Sequence, residues 1–215
     1  MKRVGSLICG LLLGAPLVAA HAQGPVQQAQ MRYLDAYYIA DTKFEVGTTV
    51  DTDDGDGFGA RLAMPLGDGG FFFGAEFQSA DYRQGNNGNG QSRQTRVGLG
   101  YQTPWFFYGL AEWARHETKI NIGGTNLVDS DEDGFGVHLG TRIDLFKYVT
   151  FDARVGYVDV DDTDGLEYVV GLGFNLDPHF GLFADYRVND FDNDANGNKV
   201  DVKQKDVRAG LRFRF

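Results

Sequence analysis

Cysteine is all but missing from this chain: there is one, Cys9. It lies in an N-terminal stretch that reads as a removable leader, so the remainder is predicted to have no disulfide, no thiol nucleophile and no thiolate metal site. The leader reading rests on Lys2 and Arg3, an apolar stretch from Val4 to Ala20 and the sequence Ala20-His21-Ala22. Together these describe a secretory signal peptide over residues 1–22. A spanning helix would need about 20 uninterrupted apolar residues, whereas this stretch is shorter and is broken by Pro16. Ile8 precedes Cys9 where lipid attachment calls for a small residue, so acylation is not expected.

An excess of basic charge is missing too. With the leader removed, 18 basic residues face 30 acidic ones and the formal charge is −12. A nucleic-acid partner is disfavoured, because phosphate binding needs a basic face. Serine beyond the leader is limited to Ser79, Ser92 and Ser130, none beside a histidine, so a Ser–His nucleophile has no material. Beyond the leader, long helical periodicities and long apolar runs are absent as well. The chain has instead 30 glycines, 17 phenylalanines and 10 tyrosines.

These residues alternate. After a polar lead over 23–30, read as a linker, ten segments carry one apolar face and one charged or glycine face at a period of two, as half-buried strands do. They span roughly 31–46, 57–66, 70–82, 92–102, 105–116, 134–145, 149–158, 166–176, 180–191 and 202–215. In the third, Phe71, Phe73, Ala75 and Phe77 oppose Gly74, Glu76 and Gln78; in the ninth, Leu182, Ala184, Tyr186 and Val188 oppose Gly181, Asp185 and Arg187. The first is the least regular: Asp35, Asp41, Lys43 and Glu45 are expected inward, but Tyr37 and Ile39 share their face.

In a soluble sandwich the apolar faces would meet each other; in an outer-membrane barrel they meet lipid and the polar faces line the lumen. The connections decide. They alternate long and short along the chain, 47–56 then 67–69, 83–91 then 103–104, 117–133 then 146–148, 159–165 then 177–179, and finally 192–201. A membrane barrel has short periplasmic turns and longer extracellular loops. Aromatics gather at both strand ends, with Phe71, Tyr101, Trp105, Phe146, Phe174, Phe180 and Phe215 at the turn side. Phe58, Phe77, Trp113, Phe135, Tyr157 and Tyr186 mark the loop side, as two interfacial girdles would. The predicted fold is therefore all-β: a ten-stranded antiparallel up-and-down transmembrane barrel over 31–215 with both termini periplasmic. An eight-stranded barrel with an irregular first hairpin is the alternative.

The chain ends in RAGLRFRF. Arg208, Gly210, Phe213 and Phe215 occupy a polar-x-Gly-x-x-aromatic-x-aromatic pattern that resembles the C-terminal signal of Gram-negative outer-membrane barrels. The resemblance implies that the barrel-assembly machinery reads this strand. Over 31–215 the chain is similar to the small OmpA/OmpX-type barrels, and its first hairpin, YLDAYYIADTKFE followed by DDGDGFGARLAMPL, resembles small xanthomonad outer-membrane proteins.

Within such a barrel, Glu76, Glu112, Asp144, Asp152, Glu167 and Asp185 can pair with Arg61, Arg96, Arg142, Arg154, Arg187 and Arg208 across the lumen. The five long loops hold 16 acidic and three basic residues, so everything else beyond the leader sums to +1. A balanced lumen favours a plug of ion pairs, since unpaired charge in a narrow space is costly; the competing reading is a narrow porin that selects by charge. Two loops have the spacing of calcium ligands, Asp129, Asp131 and Asp133 before Gly134, and Asp192, Asp194 and Asn196 before Gly197. The position of the twelfth EF-hand ligand is Gly140 or Lys203, so solvated acidic loops, or loose Ca2+ or Mg2+ bridging to lipopolysaccharide phosphate, compete with specific sites. His116 with Glu112 is the one candidate dyad for activating water, against the ordinary reading of a lumen hydrogen bond. The expected function is a monomeric, non-enzymatic barrel of envelope structure and surface interaction, its partners being membrane lipid, lipopolysaccharide and the assembly machinery. A barrel hydrolase is the least favoured alternative.

Overall fold

The computed structural model describes residues 27–46, 50–51, 53–84, 88–122, 125–193 and 200–215. Ten long strands carry the fold: β1 (Tyr33–Val46), β2 (Asp53–Pro65), β3 (Phe71–Gln84), β4 (Gly88–Gln102) and β5 (Phe107–Ile122). They continue as β6 (Thr125–Phe146), β7 (Val149–Val160), β8 (Thr163–Asn175), β9 (Phe180–Asn193) and β10 (Val200–Phe213). Each is antiparallel to the next, and β10 returns to pair with β1, so the sheet closes. Closure is what lipid demands, because a backbone edge left in hydrocarbon has no water to bond. The eight-stranded alternative is thereby excluded.

The alternation of residue types becomes an alternation of surfaces. Along β9 every second residue is buried while Leu182, Tyr186 and Phe180 face outward and are exposed. Both aromatic girdles lie on that outer surface, from Phe71, Trp105 and Phe174 at one end to Phe58, Trp113 and Phe135 at the other. The fully buried side chains include four arginines, Arg96, Arg142, Arg187 and Arg208. A water-soluble domain buries its aromatics and exposes its arginines. This chain does the reverse.

Inward glycines serve as seats. Five cross-strand pairs set a glycine beside a ring: Tyr37 on Gly59, Phe72 on Gly100, Tyr108 on Gly140, His138 on Gly156 and Phe191 on Gly165. A Cβ at Gly59 would stand 2.4 Å from the Tyr37 ring, at Gly100 2.2 Å from Phe72, at Gly140 2.4 Å from Tyr108 and at Gly156 1.9 Å from His138. Laying rings over glycines fills the interior next to the wall and restores the contact area that a bare strand lacks.

Three features differ from the sequence reading. A bulge in β1 separates the partners Ile39↔Gly57 and Thr42↔Gly55, and on the other side the register shifts between Val207 and Arg208. One extra residue reverses parity: Thr42 is buried, Lys43 is exposed and half-buried Glu45 pairs with Lys205 at 2.6 Å, so the inward placement of Asp41, Lys43 and Glu45 fails. Secondly, much of the expected loop sequence is ladder. β5 and β6 stay paired out to Ile122↔Thr125, and 159–165 shrinks to a turn at Asp161 and Asp162. These segments prolong the strands because their own backbone groups pair beyond the membrane as well as within it. Thirdly, the described part of the polar lead is not a free linker: Gln27 and Gln28 form a short strand on β6.

Candidate functional site: a lumen filled with ion pairs

The interior is organised in tiers from the short-turn end upward. At the base the Tyr33 ring lies under three guanidiniums, Arg142 at 4.1 Å, Arg212 at 4.5 Å and Arg61 at 5.8 Å from its centroid. Asp35, wholly buried, accepts from Arg61 at 2.8 Å and from Arg212 at 2.7 and 2.8 Å. Arg142 donates to Asp152 at 3.0 Å, and half-buried Asp144 accepts from Thr150 at 2.5 Å.

The middle tier crosses the barrel. Arg208 on β10 donates to Glu76 on β3 at 2.8 Å and to Asp185 on β9 at 2.5 Å. Tyr37 donates its hydroxyl to Glu76 at 2.9 Å. Glu167 on β8 receives three guanidiniums: Arg96 from β4 at 2.7 Å, Arg154 from β7 at 2.7 Å and Arg187 from β9 at 2.8 Å. Glu112 takes Arg96 at 3.1 Å and His138 Nε2 at 2.9 Å. Above these, Asp206 accepts from Thr42 at 2.6 Å and Gln78 at 2.9 Å, and Gln94 donates to Gln204 at 3.2 Å. An apolar cluster of Ala114, Val158, Val160 and Phe191, with Val202 against it, lies beyond.

Among the described residues, seven arginines (61, 96, 142, 154, 187, 208 and 212) pair with six carboxylates (35, 76, 112, 152, 167 and 185) in this interior, while Asp144 and Asp206 are held by uncharged donors. The balance matters because an ion taken from water loses several kcal/mol of solvation, recovered only by a partner in good geometry. Arg96–Glu167 and Arg208–Glu76 join strands that are not neighbours, so the bridges span the lumen itself. The resulting core is largely polar and tied together across its width.

Some pairings were not foreseen. Asp206 and Arg212 follow the period-two rule yet lie outside the expected pairs, and Asp35, expected inward, takes Arg61 and Arg212 as partners. Glu112 bonds His138, not His116. Four residues along a strand separate Cα atoms by roughly 13 Å, whereas His138 stands on the adjoining strand β6. His116 instead lies 6.4 Å from the Phe191 ring, centroid to centroid.

The acidic loop motifs change character. Asp131 and Asp133 lie on the extended strand β6, where the expected tight turn does not occur. Alternate residues of a strand share a face about 7 Å apart, but Arg115 already holds Asp131 in an ion pair. The side chain of Asp129 lies outside the described residues, as do Asp194 and Asn196, while Asp192 is exposed at the end of β9. Among the described residues no cluster of three or more His, Cys, Asp or Glu is placed to hold a metal ion.

At the C-terminus, Arg208 is locked into the middle tier. Gly210 lets β10 approach β1: a Cβ there would stand 2.2 Å from the Ala36 carbonyl oxygen. Phe213 and Phe215 are exposed, their centroids 6.2 Å apart, with Phe180 at 5.1 Å from Phe213.

Residues 9–165 match the model of the outer membrane protein beta-barrel domain. The chain belongs to that family. Outer-membrane β-barrels of this kind reside in the Gram-negative outer membrane, with the apolar band in lipid. Among solved structures, the chain is similar to Neisserial surface protein A, at 14% identity and a TM-score of 0.47, covering 89% of this chain and 100% of that one. The attachment invasion locus protein Ail of Yersinia pestis shares 16% identity, with a TM-score of 0.39 and coverage of 86% and 100%. An anion-selective porin from Comamonas acidovorans shares 14%, with a TM-score of 0.34 and coverage of 85% and 59%. Comparison with curated protein sequences finds no match.

Proposed function

We propose that this barrel is a sealed, monomeric, non-enzymatic component of the outer membrane that reinforces the envelope and presents acidic β-hairpins at the cell surface. The observation that carries this reading is the cross-lumen network: seven buried guanidiniums pair with six carboxylates, and several of these bridges join strands on opposite walls. The paired strands at the long-connection end extend the wall and suit contact with lipopolysaccharide or another surface partner. Arg208, Gly210, Phe213 and Phe215 are the assembly signal in this reading, with both termini on the periplasmic side.

The test is conductance. Purified protein in a planar lipid bilayer gives no current steps above the lipid background across a range of voltages and salts. Discrete, reproducible steps with ion selectivity would establish the narrow porin instead, because charge-lined constrictions select by sign. No nucleophile–base arrangement appears among the described residues near His138, and its imidazole is enclosed beside Glu112. Measurable lipase or protease activity lost on changing His138 and Glu112 would overturn the non-enzymatic reading.

A further inference from the structure

The segment before β1 does more than lead into the barrel. Gln27 and Gln28 pair with Asp144 and Ile143 of β6, the Ala29 amide donates to the Arg142 carbonyl at 3.3 Å and Gln102 Nε2 donates to the Ala29 carbonyl at 2.7 Å. Six residues later the chain is β1, which pairs with β2 and β10. β6 stands opposite β1 in a ring of ten. The segment 27–32 therefore crosses the short-turn mouth from one wall to the other, and it goes inside: Ala29 is 7% exposed, Met31 5% and Tyr33 6%. Met31 and Tyr33 pack with Ala63, Phe72, Tyr108 and Leu110. Directly above them lies a cavity of about 30 Å3 bounded also by Arg61, Glu76, Gly74 and Arg154.

A free terminal segment normally frays, since ordering its backbone costs roughly 1–2 kcal/mol per residue. Here one end is held by a ladder and the other by an apolar anchor beneath three guanidiniums. The ladder lies where β6 continues below the start of β5 at Phe107, so the edge it uses is otherwise unpaired.

We infer that residues 27–32 form a removable floor: a strap that shuts the lower half of the lumen against the periplasm and swings away as a unit, leaving the ion-pair tiers above it intact. The floor is independent of whether the upper half conducts. Its failure is therefore distinguishable from failure of the sealed-barrel reading.

A thiol reporter tests it, since the parent sequence has only Cys9 and supplies the background. Gly74 faces the cavity, and a Cβ there meets nothing nearer than Leu110 at 3.5 Å. In the folded full chain in micelles, the thiol introduced by Gly74→Cys is shielded from a small charged thiosulfonate reagent. Combining it with Ala29→Pro and Met31→Gly, which remove the Arg142 bond and the anchor, raises the labelling rate by about tenfold or more as the closed state is depopulated. Gln102→Ala, which leaves the strap sequence untouched and removes one bond to Ala29, gives a smaller rise. A second reporter, Ala80→Cys, lies in the upper lumen, where Ala80 is 1% exposed, and stays unreactive in every background. Equal labelling at position 74 with and without the strap substitutions overturns the proposal. So does labelling at position 80 that rises in parallel, since the segment would then be part of the global fold and not a separate closure.

Discussion

Gly156→Ala is the sharpest test of how the lumen is packed. The added methyl would stand 1.9 Å from His138 Nδ1 and 2.6 Å from its Cε1 and Cγ. Real contacts of this kind stay beyond 3 Å, and the obstructing atoms belong to a rigid ring, not to the end of a flexible chain. The imidazole must leave its seat, and its 2.9 Å bond to Glu112 goes with it. Overpacking costs about 1–3 kcal/mol, and losing a buried hydrogen bond to a charged group adds about 1.5–3 kcal/mol, so a loss of roughly 3–5 kcal/mol is expected. Urea unfolding of the barrel in lipid or micelles, followed by tryptophan fluorescence and by the shift in gel mobility between folded and unfolded forms, reads the change. Gly74→Ala is the control at another inward glycine, with only an ordinary contact at 3.5 Å to Leu110, and should change stability by less than about 1 kcal/mol. In the double variant His138→Ala with Gly156→Ala the methyl finds room, so the two costs combine to less than their sum. Equal stability of Gly156→Ala and the parent would refute the seating of His138, as would strict additivity in the double variant.

Glu167→Gln removes the carboxylate on which Arg96, Arg154 and Arg187 converge; leaving buried cations short of a counter-charge is expected to cost about 3–5 kcal/mol, seen as a lower urea midpoint, and an unchanged midpoint would show that the cluster is solvated. The Asp177 carboxyl, in the turn between β8 and β9, is held below the usual carboxylate range by the amides of Phe180 and His179, each donating at 2.7 Å. A depressed folded pKa stabilises the turn above the ordinary carboxylate value and loses that contribution as pH falls through the lowered one. Protection of the His179 and Phe180 amides, measured against their intrinsic exchange rates, should therefore fall only in strong acid, and Asp177→Asn should remove that acid step. Replacing Phe215 by Gly removes an exposed ring outside the ladder; assembly in cells should fall sharply while unassisted refolding into micelles proceeds at the parental rate, and equal assembly in cells would show that the terminal ring is not read.

Period-two alternation, the short-long rhythm of connections and the terminal aromatics determined the ten strands, their inward and outward faces and the closed sheet. Each of these is local: a strand's parity and a turn's length can be read from neighbouring residues, and a bilayer imposes the same two faces on every strand. What local sequence did not carry was the register between strands. One extra residue in β1 turned Lys43 outward and Thr42 inward, and no composition signal marks that bulge. His138, not His116, met Glu112 because the pairing Leu110↔His138 places the β6 residue beside the β5 carboxylate. The aspartates of 129–133 reside on a straight strand because β5 extends far enough to pair with them. Which arginine reaches which carboxylate, and where the segment 27–32 comes to rest, depends on distances across the barrel that exist only once the sheet has closed. Hydrophobic pattern chose the solvent for each face, and closure alone decided the partners within.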